Sequence, residues 1–307
     1  MKRATTTVAA APLAAIRSPQ VHVESVGIGP PLVLLHGFAL HGGLFASIVP
    51  LLARHMRVHV VDLPGHGWSD MLRPYDLDTI VDAIDAAVAW TYASATAPSG
   101  GAASMVDVPL HRPPLVVLGW SFGGQVAMHW AATRPARIAK LVLVATTPSF
   151  VVRDDWPWAM SSDTLARFGD ELAVAWRLTL QRFLTLQVQG SDEGRRTLAQ
   201  LRTRLFERGD PAPAALAATL DLLARTDLRG ELPAIAAPAT LIAGTRDTLV
   251  PVGAMRALAN ALRQATLHEI AGAAHAPFLS HRDAFFEALD GVVVPGGAAA
   301  AAGGADG

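Results

Sequence analysis

A serine hydroxyl attacks a carbonyl at neutral pH only when a base takes its proton, and a histidine serves as that base best when a carboxylate fixes its tautomer. Ser121 stands in Gly119-Trp120-Ser121-Phe122-Gly123-Gly124. Before it, Leu115-Val116-Val117-Leu118 reads as a buried strand; after it, Gln125 to Ala132 reads as a helix stopped near Pro135. Glycines 119 and 123 leave out side chains where a tight turn would press them against neighbouring backbone, so the serine Oγ can project outward. The bare pattern is common in loops. Its flanking strand and helix make it a nucleophile's turn.

The partners are sought at the ends of two later apolar runs. Asp247 follows Ala239 to Ala243 in Gly244-Thr245-Arg246-Asp247, and His275 follows Thr266 to Ile270 in Gly272-Ala273-Ala274-His275-Ala276-Pro277. With His275 as base and Asp247 as its orienting acid, Ser121 would attack an ester, and the oxyanion would be held by the backbone N–H groups of Phe122 and Phe38. Asp221 and Asp227 compete for the acid, and His281, His66 and His36 for the base. His36, beside the Gly37-Phe38 loop, suits a structural hydrogen bond better. Trp120 and Phe122 flank the nucleophile and are expected in its pocket.

Positioning these residues takes a strand-helix alternation. Val21 to Val26 reads as an outer strand, Pro31 to Leu35 and Arg57 to Val61 as buried ones, Asp78 to Trp90 as a helix, and Leu141 to Val144 as a further strand. Helix-length segments between strands imply crossover connections and an α/β fold, with a mostly parallel central sheet flanked by helices. The core is expected over 21–148 and 229–291. From 149 to 228 the strand signals vanish. Leu172, Trp176, Leu180, Phe183 and Gln187 share one helical face, Leu198, Leu201 and Leu205 form a second stripe, and Leu216, Leu220 and Leu223 a third. This predicts a helical cap. Phe183 and Trp176 fit its core spacing. Residues 1–20 and 292–307 are expected to be disordered, and 93–114 a surface insertion.

The 307 residues carry no cysteine, which excludes thiol nucleophiles, cysteine metal sites and disulfides. A formal charge of −1 gives no global cause for nucleic-acid binding. No apolar run approaches the length that spans a bilayer. Charge is uneven, however. Between Trp176 and Gly209 seven arginines face three acidic residues, and Arg195 and Arg202, seven apart, stack on one face.

The chain resembles the α/β-hydrolase superfamily from about Val21 to Leu289, and the serine-aspartate-histidine order is that superfamily's. More narrowly, it is similar to the BioH family of pimeloyl-[acyl-carrier protein] methyl ester carboxylesterases. The motifs that carry this are Leu34-Leu35-His36-Gly37, Asp62-Leu63-Pro64-Gly65-His66-Gly67, the Ser121 turn, Asp154-Asp155-Trp156-Pro157, Arg182 to Gln187, Thr226-Asp227-Leu228-Arg229 and His275-Ala276-Pro277-Phe278. The cap segment and the His-Ala-Pro-Phe ending are the more specific of these.

The resemblance implies hydrolysis of the pimeloyl methyl ester to methanol in biotin biosynthesis, with Ser121, Asp247 and His275 as the triad. It implies substrate contacts at Phe38, Ser121, Phe122, His275 and the run Phe183, Leu184, Thr185, Leu186 and Gln187. It also gives the cap arginines Arg177, Arg182, Arg195 and Arg202 an acidic partner, the acyl carrier protein. Small esters are further substrates; no cofactor, metal, nucleic acid or membrane is expected, and the protein is expected to be a cytoplasmic monomer. Phe38 departs from the family, which often has tryptophan there. A general short-chain carboxylesterase, a meta-cleavage-type carbon–carbon hydrolase and a non-catalytic binding protein on a hydrolase scaffold are the alternatives.

Overall fold

The computed structural model describes residues 20–96 and 112–293. Residues 1–19 of the expected extension, 97–111 of the expected insertion and 294–307 of the expected tail lie outside them. Seven strands form one sheet: β1 (Val23–Val26), β2 (Pro31–Leu35), β3 (Arg57–Val61), β4 (Leu115–Trp120), β5 (Ile138–Val144), β6 (Ala239–Gly244) and β7 (Ala265–Ile270), in the order β1-β3-β2-β4-β5-β6-β7. β1 runs antiparallel to β3, and every other pairing is parallel. The sequence explains the difference. β2 and β4 are unbroken apolar runs with every residue buried, as a strand covered on both faces requires. β1 alternates and is mostly exposed at the sheet edge.

Helices cover both faces. α1 (Val49–Leu52) is a single turn before β3. α2 (Leu77–Thr96) packs on α3 (Phe122–Thr133), and α3 on β4 and β5. α2 runs past Trp90 and past Ala93, where the insertion was expected to begin, because the Tyr92 to Thr96 stretch contains no glycine or proline to stop it. After β5 the chain leaves the sheet for α4 (Ser162–Gln187), α5 (Gly194–Arg204) and α6 (Pro213–Arg225), then returns to β6. α4 begins ten residues before its predicted stripe and is kinked at Ala175, whose φ of −145° and ψ of 53° interrupt the helical turn. Ser161 caps its start through the Thr164 N–H. α7 (Val252–Ala261) packs on β6 and β7, and the short α8 (Pro277–Ser280) and α9 (Arg282–Glu287) close the fold.

Parallel pairing from β4 through β7 brings the carboxyl ends of β4, β6 and β7 to the same end of the sheet. Ser121, Asp247 and His275 follow those three strands.

Candidate active site

Ser121 joins β4 to α3 with φ 56° and ψ −120°, a backbone conformation side chains rarely adopt. Surrounding bonds hold it there. Its N–H donates to the Val144 carbonyl at 3.0 Å, and its own carbonyl accepts from the Gly124 N–H at 2.8 Å and the Thr146 hydroxyl at 2.7 Å. A Cβ on Gly119 would come within 2.3 Å of the Gly123 carbonyl oxygen, and one on Gly123 within 2.3 Å of the Leu35 oxygen. Backbone occupies the space that a side chain would need.

The acid and base meet beside it. His275 Nδ1 lies 2.8 Å from Asp247 Oδ2, and both side chains are buried. An ionised carboxylate only accepts, so Nδ1 carries the proton and Nε2 keeps its lone pair. The second carboxylate oxygen takes the N–H groups of Leu249 at 2.9 Å and Val250 at 3.0 Å, which fixes the aspartate's orientation. The His275 peptide is held on both sides: its N–H donates to the Gln187 carbonyl at 3.1 Å, and its carbonyl accepts from Trp120 Nε1 at 2.8 Å. Ser121 and His275 line one cavity. The rival acids lie elsewhere, Asp221 paired with Arg225 and Asp227 with Arg229. Of the rival bases, His281 caps α9, and His66 turns its Nδ1 to the Pro64 carbonyl.

Two backbone features bear on the N–H groups expected to hold an oxyanion. Phe122 is the first residue of α3, so its N–H has no preceding turn to pair with. Phe38 follows Gly37, whose missing Cβ would sit 3.2 Å from Ser121 Cβ, so the loop abuts the nucleophile. His36 Nε2 accepts the Leu63 N–H at 2.9 Å, so Nδ1 must carry the proton and donate to the Gly37 carbonyl at 2.8 Å. In a trans peptide the carbonyl and the next N–H point opposite ways, so His36 sets which way the Phe38 N–H faces. Burial lowers the His36 pKa to about 3, which keeps this ring neutral at any working pH.

The cavity is small, about 90 Å³, and almost wholly apolar. Of the expected substrate residues it is lined by Phe38, Ser121, Phe183, Leu186 and His275. Phe38, Phe168 and Phe183 form a triangle with ring centroids 5.4 to 5.9 Å apart, Phe38 edge-on to the other two and those two tilted to each other. The other expected contacts lie elsewhere. Trp120 is fully buried beneath the base, against Phe278, because strand alternation sends its side chain to the face opposite the pocket. Phe122 and Leu184 have no exposed surface, Thr185 turns its hydroxyl back to the Gln181 carbonyl, and Gln187 is buried with its carbonyl on His275. Sequence reading missed Met160, Thr164, Leu165 and Phe168 on the cap's first side, and Leu220 and Leu223 from α6. The spacing of Leu165 and Phe168 with Leu172 was a usable signal for one helical face.

The expected arginine surface divides in two. Arg177 pairs with Asp210 and lies over the Trp176 ring at 4.7 Å, and Arg182 is 3.8 Å from Glu171. Arg195 and Arg202 are exposed on α5 with no ion-pair partner among the described residues. Arg208, by contrast, is only 8% exposed. It donates to both oxygens of Asp62, itself fully buried, at 3.1 Å, and pairs with Glu24. Burial alone would raise the Asp62 carboxyl, but the His36 ring, the N–H donors of Trp68 and Gly42, and Arg208 more than offset it and hold the pKa low. Gly42 is bound by Asp62 Oδ1 at 2.7 Å and ends the loop that carries Phe38, so the cap reaches the oxyanion loop through one carboxylate. His41 adds a second tie. Its Nδ1 accepts the Gly43 N–H at 3.1 Å, so Nε2 donates to the Arg204 carbonyl at 2.7 Å.

Known proteins resemble this chain over nearly its whole described length. The Alpha/beta hydrolase family model matches residues 32–288. The pimeloyl-[acyl-carrier protein] methyl ester esterase of Xanthomonas oryzae pv. oryzae is 46% identical over 270 residues, 88% of this chain and 97% of that protein. The protein of the same name from Chromobacterium violaceum is 41% identical over 268 residues, 87% and 95%. Among solved structures, an esterase from Exiguobacterium antarcticum superposes with a TM-score of 0.74 at 22% identity, covering 89% of this chain and 95% of its own. A bromoperoxidase from Bacillus anthracis gives 0.72 at 22% identity, covering 88% and 93%. At that identity the structural likeness speaks for the fold alone.

Proposed function

The chain belongs to the alpha/beta hydrolase family, and on that premise we propose that it is a serine carboxylesterase hydrolysing the methyl ester of pimeloyl-[acyl-carrier protein], releasing methanol, in biotin biosynthesis. The observation that carries the chemistry is the buried Asp247–His275 pair, with His275 lining the same cavity as Ser121. The ester is assigned from the relatives that are 40–46% identical and carry that name.

In the first half-reaction Ser121 Oγ bonds to the ester carbonyl carbon as His275 Nε2 takes its proton. The tetrahedral oxyanion is held by the N–H groups of Phe38 and Phe122, and Asp247 stabilises the imidazolium. The carbon–methoxy bond then breaks, and His275 returns the proton to the departing methoxide as methanol. Water, deprotonated by the same histidine, cleaves the acyl-serine and frees the carboxylate. The apolar cavity walls suit a methyl group and a methylene chain.

Arg195 and Arg202, exposed and without an ion-pair partner among the described residues, are the cations best placed to meet an acidic carrier protein, with Arg177 and Arg182 partly neutralised by their own neighbours. No helix among the described residues is long and apolar enough to cross a membrane. A cytoplasmic monomer is proposed.

Purified protein should demethylate pimeloyl-[acyl-carrier protein] methyl ester, and Ser121→Ala should abolish the reaction. Cleavage of short p-nitrophenyl esters with the carrier-bound ester left intact would reduce the reading to a general carboxylesterase. No reaction of Ser121 with a fluorophosphonate would remove the esterase reading altogether.

A further inference from the structure

The catalytic cavity is too small to be the whole acyl site. Its 90 Å³ is room for about three water molecules and falls below the roughly 300 Å³ at which small-molecule pockets begin. A second cleft, of about 630 Å³ and mostly apolar, lies within the cap between α4 and α6. Both cavities are bordered by the same two side chains, Leu165 of α4 and Leu220 of α6. The cleft exists because the residues lining it are small: Ala166, Gly169 and Ala173 recur along one face of α4, opposite Ala217 and Ala224 of α6. Trp176 forms part of its wall. At the crossing, Leu220 Cδ2 would stand only 2.9 Å from a Cβ on Gly169, so the leucine tip fills the place where a larger residue would separate the helices.

We propose that Leu165 and Leu220 form a partition between the catalytic cavity and an acyl cleft, and that the cleft receives the methylene run of a linear acyl chain too long for the catalytic cavity. The occupant follows from continuity: whatever crosses the two leucines starts as an ester at Ser121, and beyond them it meets mostly apolar walls. Leu165 is 4% exposed and Leu220 partly buried, both border the two cavities, and a chain passes by turning a leucine rotamer. The inference rests on the esterase reading, and adds to it a set of chain lengths and two residues that govern them.

Two variants act on opposite sides of the partition. Leu220→Ala opens it, and Ala217→Trp, at an exposed position on α6, fills the cleft beyond it. With p-nitrophenyl acetate, butyrate, octanoate and dodecanoate as substrates, the dodecanoate-to-acetate ratio of kcat/KM should rise about tenfold in Leu220→Ala. It should fall about tenfold in Ala217→Trp, the scale on which a hydrophobic pocket discriminates by one or two methylenes. An unchanged ratio in both variants overturns the proposal. If Leu220→Ala fails to fold, Ala217→Trp decides by itself. Calorimetric titration with dodecanoate reads the cleft without catalysis: the wild type should bind it and Ala217→Trp should not, and no binding by the wild type overturns the proposal. Absence of hydrolysis with every ester strikes the esterase reading, whereas hydrolysis with an indifferent ratio strikes only the partition.

Discussion

Arg208→Met offers a direct measure of how firmly the cap is fastened to the oxyanion loop. The wild-type guanidinium is 8% exposed, and its Asp62 partner is wholly buried. The methionine keeps the length of the stem but leaves a carboxylate in the interior with only the Gly42 and Trp68 N–H groups as partners. Removing one member of a buried ion pair costs about 3–5 kcal/mol, against about 0–1 kcal/mol for an exposed pair. The ring of Trp68, 4.5 Å from the guanidinium carbon, loses its cation as well. Urea unfolding followed by tryptophan fluorescence should show the midpoint falling by about 1 M or more, taking a slope of up to about 3 kcal/mol per molar. The double variant Asp62→Asn with Arg208→Met should be less destabilised than Arg208→Met alone, because no charge is then left buried. A loss below about 1 kcal/mol in Arg208→Met, or a double variant worse than the single, would refute the claim that the pair is shielded from water.

Asp247→Asn should keep the fold and lower kcat for p-nitrophenyl acetate by about 10⁴-fold, since an amide holds the wrong histidine tautomer; a loss under tenfold would leave the base without its acid. Gly123→Ala would place a Cβ 2.3 Å from the Leu35 carbonyl oxygen and should lower the melting temperature and abolish activity together; an active, stable variant would mean that the turn tolerates a side chain. Burial drops His36 to about 3 and His59 to about 4, so below the unfolded value of 6.5 the unfolded chain takes up protons that these folded rings refuse. Stability should therefore fall as pH drops from about 6.5, by about 1.4 kcal/mol per pH unit for each ring. Equal urea midpoints at pH 7 and pH 5 would contradict that. Trp120→Phe removes the bond to the His275 carbonyl and should reduce kcat more than it changes KM in steady-state assays.

The strands and the serine turn were legible because their signals are local. A short apolar run with two valines that ends at a glycine turn, such as Leu115 to Leu118, reads as a covered strand, and glycines on both sides of a serine admit few turns. Asp247 and His275 could be placed at strand ends but not joined, since the 2.8 Å bond between them depends on the order of β6 and β7 in the sheet. The pocket walls were harder. Which cap residues face Ser121 depends on the kink at Ala175 and on how α6 lies against α4, and neither is written in the spacing of Phe183 to Gln187. Trp120 was misplaced by adjacency: it is next to the nucleophile in the chain and on the other face of the strand in space. Arg208 was one of the seven arginines counted in the basic stretch, with nothing to set it apart, because its Asp62 partner lies 146 positions earlier.

The cap leaves the sheet after β5, the strand that lies between the one leading to the nucleophile and the one leading to the acid, and that supplies no member of the Ser-His-Asp set. The reaction machinery and the part that shapes the substrate's surroundings are thus separate pieces of chain joined at two ends. A cap from another esterase could be grafted between Ser149 and Leu228, leaving β4, β6, β7 and the Thr146 hydroxyl on the Ser121 carbonyl untouched, provided that it brought fittings such as a carbonyl where Gln187 meets the His275 N–H, a carbonyl where Arg204 meets His41, and a cation where Arg208 meets Asp62. Those contacts, together with the Asp192 N–H on the Gly272 carbonyl and the Thr219 hydroxyl against Tyr75, specify the socket, and the cavity-facing side chains are what can vary with the ester to be admitted.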